Sequence, residues 1–142
     1  RIRMSTLYAL AGSNNGIVVG TGNKVEDFGI GFYTKYGDGG VDISPIADLY
    51  KSEVYSLAKS LEIIQSIQDA SPTDGLWNDG RTDEEQIGAT YEELEWAMKE
   101  IENPSPASKL SDRQIEVMEI YLKFNRINSH KMNPIPIYML NR

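Results

Sequence analysis

Cysteine is absent from the chain, and histidine occurs only once among its 142 residues. Without cysteine, the protein can hold neither a disulfide framework nor a cysteine-ligated zinc ion. No apolar run approaches the length of a membrane span and no signal-peptide pattern is visible, so the sequence predicts a cytoplasmic protein without a membrane partner. Internal repeats are absent too, and the length predicts one domain at most.

Basic residues are also scarce. The chain carries 14 lysines and arginines against 21 aspartates and glutamates, which gives a formal net charge of −7. Binding to bulk nucleic acid requires a basic surface, so this balance argues against a nucleic-acid partner. An acidic protein can still bind a nucleotide through a few well-placed lysines.

Apolar spacing predicts four amphipathic helices. Two of them cover residues 2–12 and 50–62, where apolar side chains recur every three or four positions. The other two begin at capping boxes, Thr90-x-x-Glu93 and Ser111-x-x-Gln114, and the second of these continues to about Ser129. Their apolar stripes are predicted at Leu94, Ala97, Met98 and Ile101, and at Ile115, Met118, Tyr121, Leu122 and Phe124.

One strand is predicted, at residues 17–20, with the composition of a strand that is buried on both faces. It leads into residues 20–42, a segment rich in glycine, charged and aromatic residues. Open α/β sheets place nucleotides where a strand meets such a loop. Glycine lets the backbone approach a ligand, carboxylates can hold Mg²⁺, and lysines can hold phosphate.

Three motifs of the chain resemble signatures of the ammonia-dependent NAD synthetases. They are Gly20-Thr21-Gly22-Asn23-Lys24-Val25-Glu26, Lys35-Tyr36-Gly37-Asp38-Gly39-Gly40 and Pro72-Thr73-Asp74-Gly75-Leu76-Trp77. The resemblance covers the chain from Arg1 to about Lys131. It implies an α/β fold, with a Rossmann-like parallel sheet of the ATP-pyrophosphatase type and flanking helices.

The resemblance also implies that residues 1–142 are the helix-rich C-terminal part of a single synthetase domain. The family has an N-terminal Ser-Gly-Gly-x-Asp-Ser loop that cradles the pyrophosphate of ATP, and this sequence lacks it. One strand cannot form a sheet, so the remaining strands are expected from the N-terminal part. We therefore expect the isolated chain to be inactive.

In the reaction that the resemblance implies, deamido-NAD is amidated to NAD through an acyl-adenylate. ATP is the co-substrate, ammonia is the nitrogen donor, and AMP and pyrophosphate are released. Mg²⁺ is the implied cofactor, and the family works as a homodimer. Because both steps build negative charge on phosphate oxygens, catalysis is expected to rest on positioning, cations and Mg²⁺, and no catalytic residue is assigned.

The resemblance gives roles to individual residues. Glu26 is the candidate metal ligand, and its neighbour Asp27 competes for that role. Taken alone, Glu26 reads as a solvated acid at a helix start. The candidate ATP contacts are Thr21, Lys51 and Thr73, and the candidate deamido-NAD contacts are Arg1, Lys35, Asp42, His130 and Lys131.

The polar segment 71–89 is interpreted as a lid that closes over ATP and excludes water. Gly75, Gly80 and Gly88 are its candidate hinges, and Trp77 is its large apolar group. Its acidic run, Asp83-Glu84-Glu85, reads as a solvated helix start.

Two alternatives stay open at this point. One is another ATP pyrophosphatase, such as a GMP synthetase or an asparagine synthetase, although the segment 35–42 argues against it. The other is a non-catalytic module for dinucleotide binding or dimerisation.

Overall fold

A computed structural model describes residues 1–73, 80–105 and 109–140 of the chain. The predicted helices are confirmed, with small shifts at their ends. The α-helices are α1 Ile2–Ser13, α2 Lys51–Ser60, α3 Gln65–Gln68, α4 Asp83–Ile87, α5 Tyr91–Glu102 and α6 Asp112–Met132, and a π-helix covers Lys24–Gly29.

Both predicted capping boxes are confirmed. The Thr90 hydroxyl accepts from the Glu93 N–H at 3.2 Å, and the Ser111 hydroxyl accepts from the Gln114 N–H at 3.3 Å. Each box supplies partners for N–H groups that a helix start leaves unpaired. The two boxes therefore fix where α5 and α6 begin.

The hydrophobic core forms where α5, α6 and the π-helix meet. Leu94 and Ala97 of α5 are fully buried, and so are Val25 of the π-helix and Ile30 just after it. Val117 of α6, at 1% exposure, completes this contact. The π-helix is thereby fixed on the two long helices, and it carries the candidate metal residue.

The predicted apolar stripes are partly wrong. Ile101, Ile115 and Leu122 are 43%, 46% and 51% exposed. Tyr121 of the predicted stripe on α6 is buried, and so is Val117, which the predicted stripe omits. Helical spacing selects apolar positions, but the neighbouring elements decide which of them become buried.

The predicted strand is reduced to one parallel bridge between Val19 and Ile43. The Gly20 N–H donates to the Ile43 carbonyl at 2.7 Å, which joins the two segments. Burial on both faces is a wrong prediction for this chain, because Val19 is 53% exposed and Ile17 is 59% exposed, whereas Val18 is buried. Within the described ranges the sheet of the predicted Rossmann-like fold is not formed, and its parallel geometry appears only in this bridge.

The predicted loop 71–89 contains α4. The helix begins at a further capping box, Thr82 with Glu85, and ends at Gly88, whose φ of 87° is left-handed. The acidic run does begin a helix, but Asp83 is buried rather than solvated. Two of the lid features, the hinge Gly75 and Trp77, lie outside the described residues.

The N-terminal helix α1 contrasts with this core, because none of its residues is buried. Across the three described ranges, no helix is both long enough and apolar enough to cross a membrane.

Candidate nucleotide and metal site

Asn23 fixes the candidate metal residue at the start of the π-helix. Its side-chain oxygen accepts from the N–H groups of Val25 and Glu26, at 3.1 and 3.0 Å. Its amide nitrogen donates to Glu26 Oε2 at 2.7 Å. Because Asn23 is itself buried, it holds both the backbone and the carboxylate of Glu26 in one orientation.

Lys51, at the first position of α2, faces the same carboxylate. Its Nζ lies 3.4 Å from Glu26 Oε2 and 4.5 Å from the centre of the Tyr91 ring. The Lys51 side chain is 17% exposed and that of Glu26 is 25% exposed. The structure thus brings together the residues predicted for phosphate and for metal, although they are 25 positions apart in the sequence.

Tyr50 anchors the start of α2. Two lysine ammonium groups contact its ring, with Lys24 Nζ at 4.5 Å and Lys99 Nζ at 4.4 Å from the ring centre. Its hydroxyl donates to Glu102 at 2.8 Å. This contact set joins the π-helix, α2 and α5, and it turns Lys24 toward Glu102 and Tyr50.

Asp27 is the second carboxylate near the pair. It lies against Gly22, where an added Cβ would come within 1.8 Å of the Asp27 carboxylate, so the close approach requires glycine. Burial raises the pKa of Asp27 to about 7, and the charges of Glu26 and Asp38 add to the rise while Lys51 and Lys131 oppose it. Because the Asp27 carboxylate lies close enough to feel the charge of Glu26, Asp27 stays a competing candidate for the metal.

Three of the predicted deamido-NAD residues meet where the end of α6 faces the loop after the π-helix. Lys131 Nζ donates to the carbonyls of Gly31 at 2.8 Å and Tyr33 at 2.7 Å. Lys35 Nζ donates to the His130 carbonyl, and the His130 ring is exposed. Burial lowers the pKa of Lys131.

Asp42 has partners within the chain. Its carboxylate accepts from the Val18 N–H at 2.8 Å and from the Tyr8 hydroxyl at 3.1 Å. These contacts fasten the bridge and α1 together. Arg1, by contrast, is exposed at the start of α1 and makes no side-chain capping bond there.

Thr21 is exposed between Gly20 and Gly22, at the end of the bridge. The Thr73 hydroxyl donates to the Arg81 carbonyl at 3.2 Å. A cleft of about 400 Å³ joins the segment that leads to Thr73 with Lys51. Its lining includes Lys51, Tyr55, Ser71, Pro72, Glu84 and Tyr91.

Several residues that build the site carry no predicted role. Asn23 stands directly before a helix start, which is a capping signal. Tyr91 directly follows the predicted capping residue Thr90. Asn125 and Asn128 donate to loop carbonyls, and together with Lys131 they recur every three positions, which places them on one helix face. None of the described residues forms a cluster of three or more metal-ligating side chains.

A carboxylate and an ammonium group thus stand together beyond a parallel bridge, in a segment where Gly22 lets the Asp27 carboxylate approach the backbone. In α/β folds nucleotides bind beyond strand ends, and Mg²⁺ in nucleotide sites takes carboxylate ligands.

Comparison with known proteins defines the family. The NAD synthase family profile matches residues 1–134. The NH(3)-dependent NAD(+) synthetase of Thermoplasma acidophilum is 41% identical over 133 residues, which are 94% of this chain and 52% of that protein. The same enzyme of Alkaliphilus metalliredigens is 42% identical over 138 residues, which are 96% of this chain and 51% of that protein. The chain belongs to the NAD synthase family, and it spans about half the length of the curated relatives it matches.

Solved structures agree. The NMN synthetase of Francisella tularensis superposes with a TM-score of 0.80 at 34% identity, over 98% of this chain and 53% of that one. The NH3-dependent NAD synthetase of Campylobacter jejuni, in complex with the nitrate ion, gives 0.72 at 26% identity, over 97% and 52%. The family predicted from the motifs is confirmed. The two alternative hypotheses, another ATP pyrophosphatase such as a GMP or asparagine synthetase and a non-catalytic module, are not favoured. These neighbours are consistent with the predicted α/β class.

Proposed function

We propose that the chain is the C-terminal part of an ammonia-dependent NAD synthetase, which amidates deamido-NAD to NAD at the expense of ATP. The observation that carries this proposal is the contact between Glu26 and Lys51, which brings a carboxylate and a cation together at the end of the bridge. The family membership supports the substrate class. The N-terminal part of the domain would supply the remaining strands and the pyrophosphate loop.

The residues present fit a magnesium ion. Mg²⁺ in nucleotide sites takes one or two protein carboxylates and completes its coordination with water and phosphate oxygens. Glu26 offers one carboxylate, held by Asn23, and Asp27 stands beside it as a second. When bound, the ion would neutralise charge on the phosphates of ATP.

Lys51 would supply the other positive charge. In the first step, an oxygen of the nicotinate carboxylate forms a bond to the α-phosphorus of ATP, and the bond to pyrophosphate breaks. In the second step, ammonia attacks the acyl carbon, AMP leaves and a proton is released. Lys51 would hold phosphate oxygens in line for the first step, while Thr21 and Thr73 orient the nucleotide.

The dinucleotide would bind beside the loop 29–42 and the end of α6. Lys35, His130 and Lys131 already meet there, with Arg1 and Asp42 on the neighbouring elements. Two of the three N–H donors of Lys131 are used on loop carbonyls. The N–H donors of these lysines that are not used on loop carbonyls would bind the phosphate oxygens of the substrate.

A second candidate substrate is nicotinate mononucleotide, which lacks the adenylate half of deamido-NAD. The specific support is the similarity to the Francisella structure described as an NMN synthetase. Supplying each nicotinate substrate separately to the full-length enzyme and comparing kcat/KM values decides between the two.

The test uses the full-length enzyme with ATP, Mg²⁺ and an ammonium salt. We expect NAD and AMP to form in equal amounts from deamido-NAD. Glu26→Gln should lower the rate by roughly 100-fold, the upper end of what losing a group that supports a bound metal costs. Glu119→Gln, at an exposed carboxylate of α6, is the matched control and should leave the rate unchanged. Failure to form AMP from either nicotinate substrate would exclude the proposed reaction.

A homodimer in the cytoplasm completes the proposal. Its support is the family resemblance together with the exposed apolar side chains of α1, such as Ile2 and Leu10 at 86% and 57% exposure. Sedimentation of the full-length enzyme at several concentrations would show whether the dimer forms.

A further inference from the structure

One face of α6 carries a row of hydrogen-bond donors aimed at the backbone of the loop that follows the π-helix. We call Asn125, Asn128 and Lys131 the donor row. Their side chains donate to the end of the π-helix and to the loop after it: Asn125 to the Gly29 carbonyl at 2.8 Å, Asn128 to the Ile30 carbonyl at 2.8 Å, and Lys131 to the Gly31 and Tyr33 carbonyls at 2.8 and 2.7 Å. All four bonds are partly buried, so water competes for them less than at an open surface.

The spacing of the donor row matches the loop. Donors three residues apart lie on one face of a helix, and here they meet carbonyls that follow one another along the loop. Such a row fixes the register of the loop against the helix as well as its distance from it. Gly31 permits this approach, since its φ is +63° and an added Cβ would lie 2.5 Å from Asn128 Cβ.

The fastened loop connects back to the candidate metal residue. The Phe32 N–H donates to the Glu26 carbonyl at 2.9 Å, and the Ile30 N–H donates to the Val25 carbonyl at 3.0 Å. The Phe32 ring also packs edge-on against Phe124 of α6, with centroids 6.3 Å apart. A shift of the loop would therefore move the backbone that carries Glu26.

We propose that Asn125 and Asn128 are positioning residues, which act through the loop to hold Glu26 and the segment 33–42 in the geometry that the reaction requires. Both side chains act on backbone, since their amides donate to the carbonyls of Gly29 and Ile30. The inference rests on the proposed function, because it assigns these two amides to the synthetase site. It predicts that replacing either amide weakens the binding of Mg²⁺ and of deamido-NAD together. A purely structural role would instead lower the stability of the fold and leave the Mg²⁺ requirement and the KM for deamido-NAD unchanged.

The test replaces each amide by leucine, which keeps the branched side chain of four heavy atoms but has no donor, in the full-length enzyme. We expect Asn128→Leu and Asn125→Leu to raise both the Mg²⁺ concentration for half-maximal rate and the KM for deamido-NAD by about 10-fold, as losing an outer partner of a metal site does. Saturating Mg²⁺ should restore most of kcat. Arg126→Gln, at an exposed position of the same helix turn, is the matched control and should change neither constant.

A second measurement does not depend on the reaction. Hydrogen–deuterium exchange of the backbone amides in residues 29–40 should become about 10-fold faster in both leucine variants, because the loop loses its attachment and opens more often. Amides of α5 should keep their wild-type exchange. An inactive wild-type enzyme would count against the proposed function, and the exchange would still report whether the donor row holds the loop.

Two results would overturn the inference. In the first, the folded variants keep both constants within about twofold of wild type, a margin smaller than the loss of an outer metal partner produces. In the second, exchange becomes faster without any kinetic change, which would make the row a purely structural support. If Asn128→Leu does not fold beside Gly31, then Asn125→Leu carries the same test.

Discussion

Two parts of the described chain differ in how they bury their apolar residues. The helices α5 and α6 bury Leu94 and Val117 against each other and against the π-helix, whose Val25 is fully buried too. The segment before the π-helix buries far less, since α1 has no buried residue and Ile17 and Val19 are more than half exposed. The core part, formed by the π-helix, α5 and α6, thus packs within the chain, whereas the N-terminal part, residues 1–19, presents apolar surface. In a chain that spans about half the length of the relatives it matches, this difference separates the part that packs on itself from the part whose apolar surface the rest of the proposed domain would cover.

The largest expected effect comes from removing part of that core. Leu94→Ala should cost about 2–5 kcal/mol of unfolding free energy, because Leu94 is fully buried and the cavity cannot fully collapse. Leu10→Ala, at a leucine of α1 that is 57% exposed, is the control and should change the stability of the isolated 142-residue chain, at a concentration where it is monomeric, by less than about 0.5 kcal/mol. Urea unfolding of both variants measures the two costs. Equal costs would show that α1 is buried in solution and would remove the contrast.

The same contrast explains which parts of the fold the sequence predicts. The starts of α5 and α6 depend on side chains within three residues of each other, so Thr90-x-x-Glu93 and Ser111-x-x-Gln114 predict them well. Burial depends on neighbours that the pattern does not reveal. The stripe on α6 was therefore wrong at Ile115 and Leu122, and the strand at 17–20 was wrong about burial on both faces.

The candidate site also has residues that the sequence predicts and contacts that depend on how distant segments pack. The resemblance predicts Glu26 and Lys51 as site residues, and the structure places the Lys51 Nζ 3.4 Å from the Glu26 carboxylate. The contacts of Asn125 and Asn128 join residues 96 and 98 positions away, so they follow from the packing of α6 on the π-helix and no local motif predicts them. The spacing of those asparagines was visible in the sequence, but their target was not.

The second largest effect is expected in the site loop. Gly31→Ala should cost about 2–3 kcal/mol, because alanine is strained at a φ of +63° and its Cβ would collide with Asn128. Gly12→Ala in α1 is the matched control. Nothing lies within 4 Å of its added Cβ, so it should gain up to about 1 kcal/mol from helix propensity. Chemical unfolding measures the expected loss of stability in Gly31→Ala and the expected gain in Gly12→Ala. A neutral Gly31→Ala would mean that the loop does not pack on the donor row.

A smaller effect of opposite sign is expected at Asp27. Burial, with the charges of Glu26 and Asp38, raises its pKa to about 7, so the folded chain holds this proton more tightly than the unfolded chain. That contribution to stability is complete below the unfolded pKa of about 3.9 and is lost as the pH rises through about 7. Asp27→Asn should therefore raise Tm by about 3 °C near pH 8, corresponding to about 1 kcal/mol, and by little near pH 5. The measurement is thermal unfolding without Mg²⁺, and a gain that is equal at both pH values would contradict the assignment.

The smallest effect tests a carboxylate of α5, in the core part. Arg113 donates to both oxygens of Glu93, at 2.8 and 2.7 Å, and these bonds lower the pKa of Glu93 to about 2. The stability that this lowered pKa contributes is present above the unfolded pKa of about 4.3 and is lost as the pH falls through about 2. Because the Arg113 side chain is 45% exposed, water and salt screen the pair, and Arg113→Gln should cost only about 0.5–1 kcal/mol near pH 7.

That cost should shrink between about pH 4 and pH 2, where the Glu93 carboxylate takes up its proton, and it should also fall in high salt. Arg126→Gln, at another exposed arginine of α6, controls for the loss of one positive charge from the same helix. Denaturant unfolding across this pH range measures the difference between the two variants. A cost that does not change with pH would assign the effect of Arg113 to packing against α5 rather than to its bonds with the charged Glu93 carboxylate.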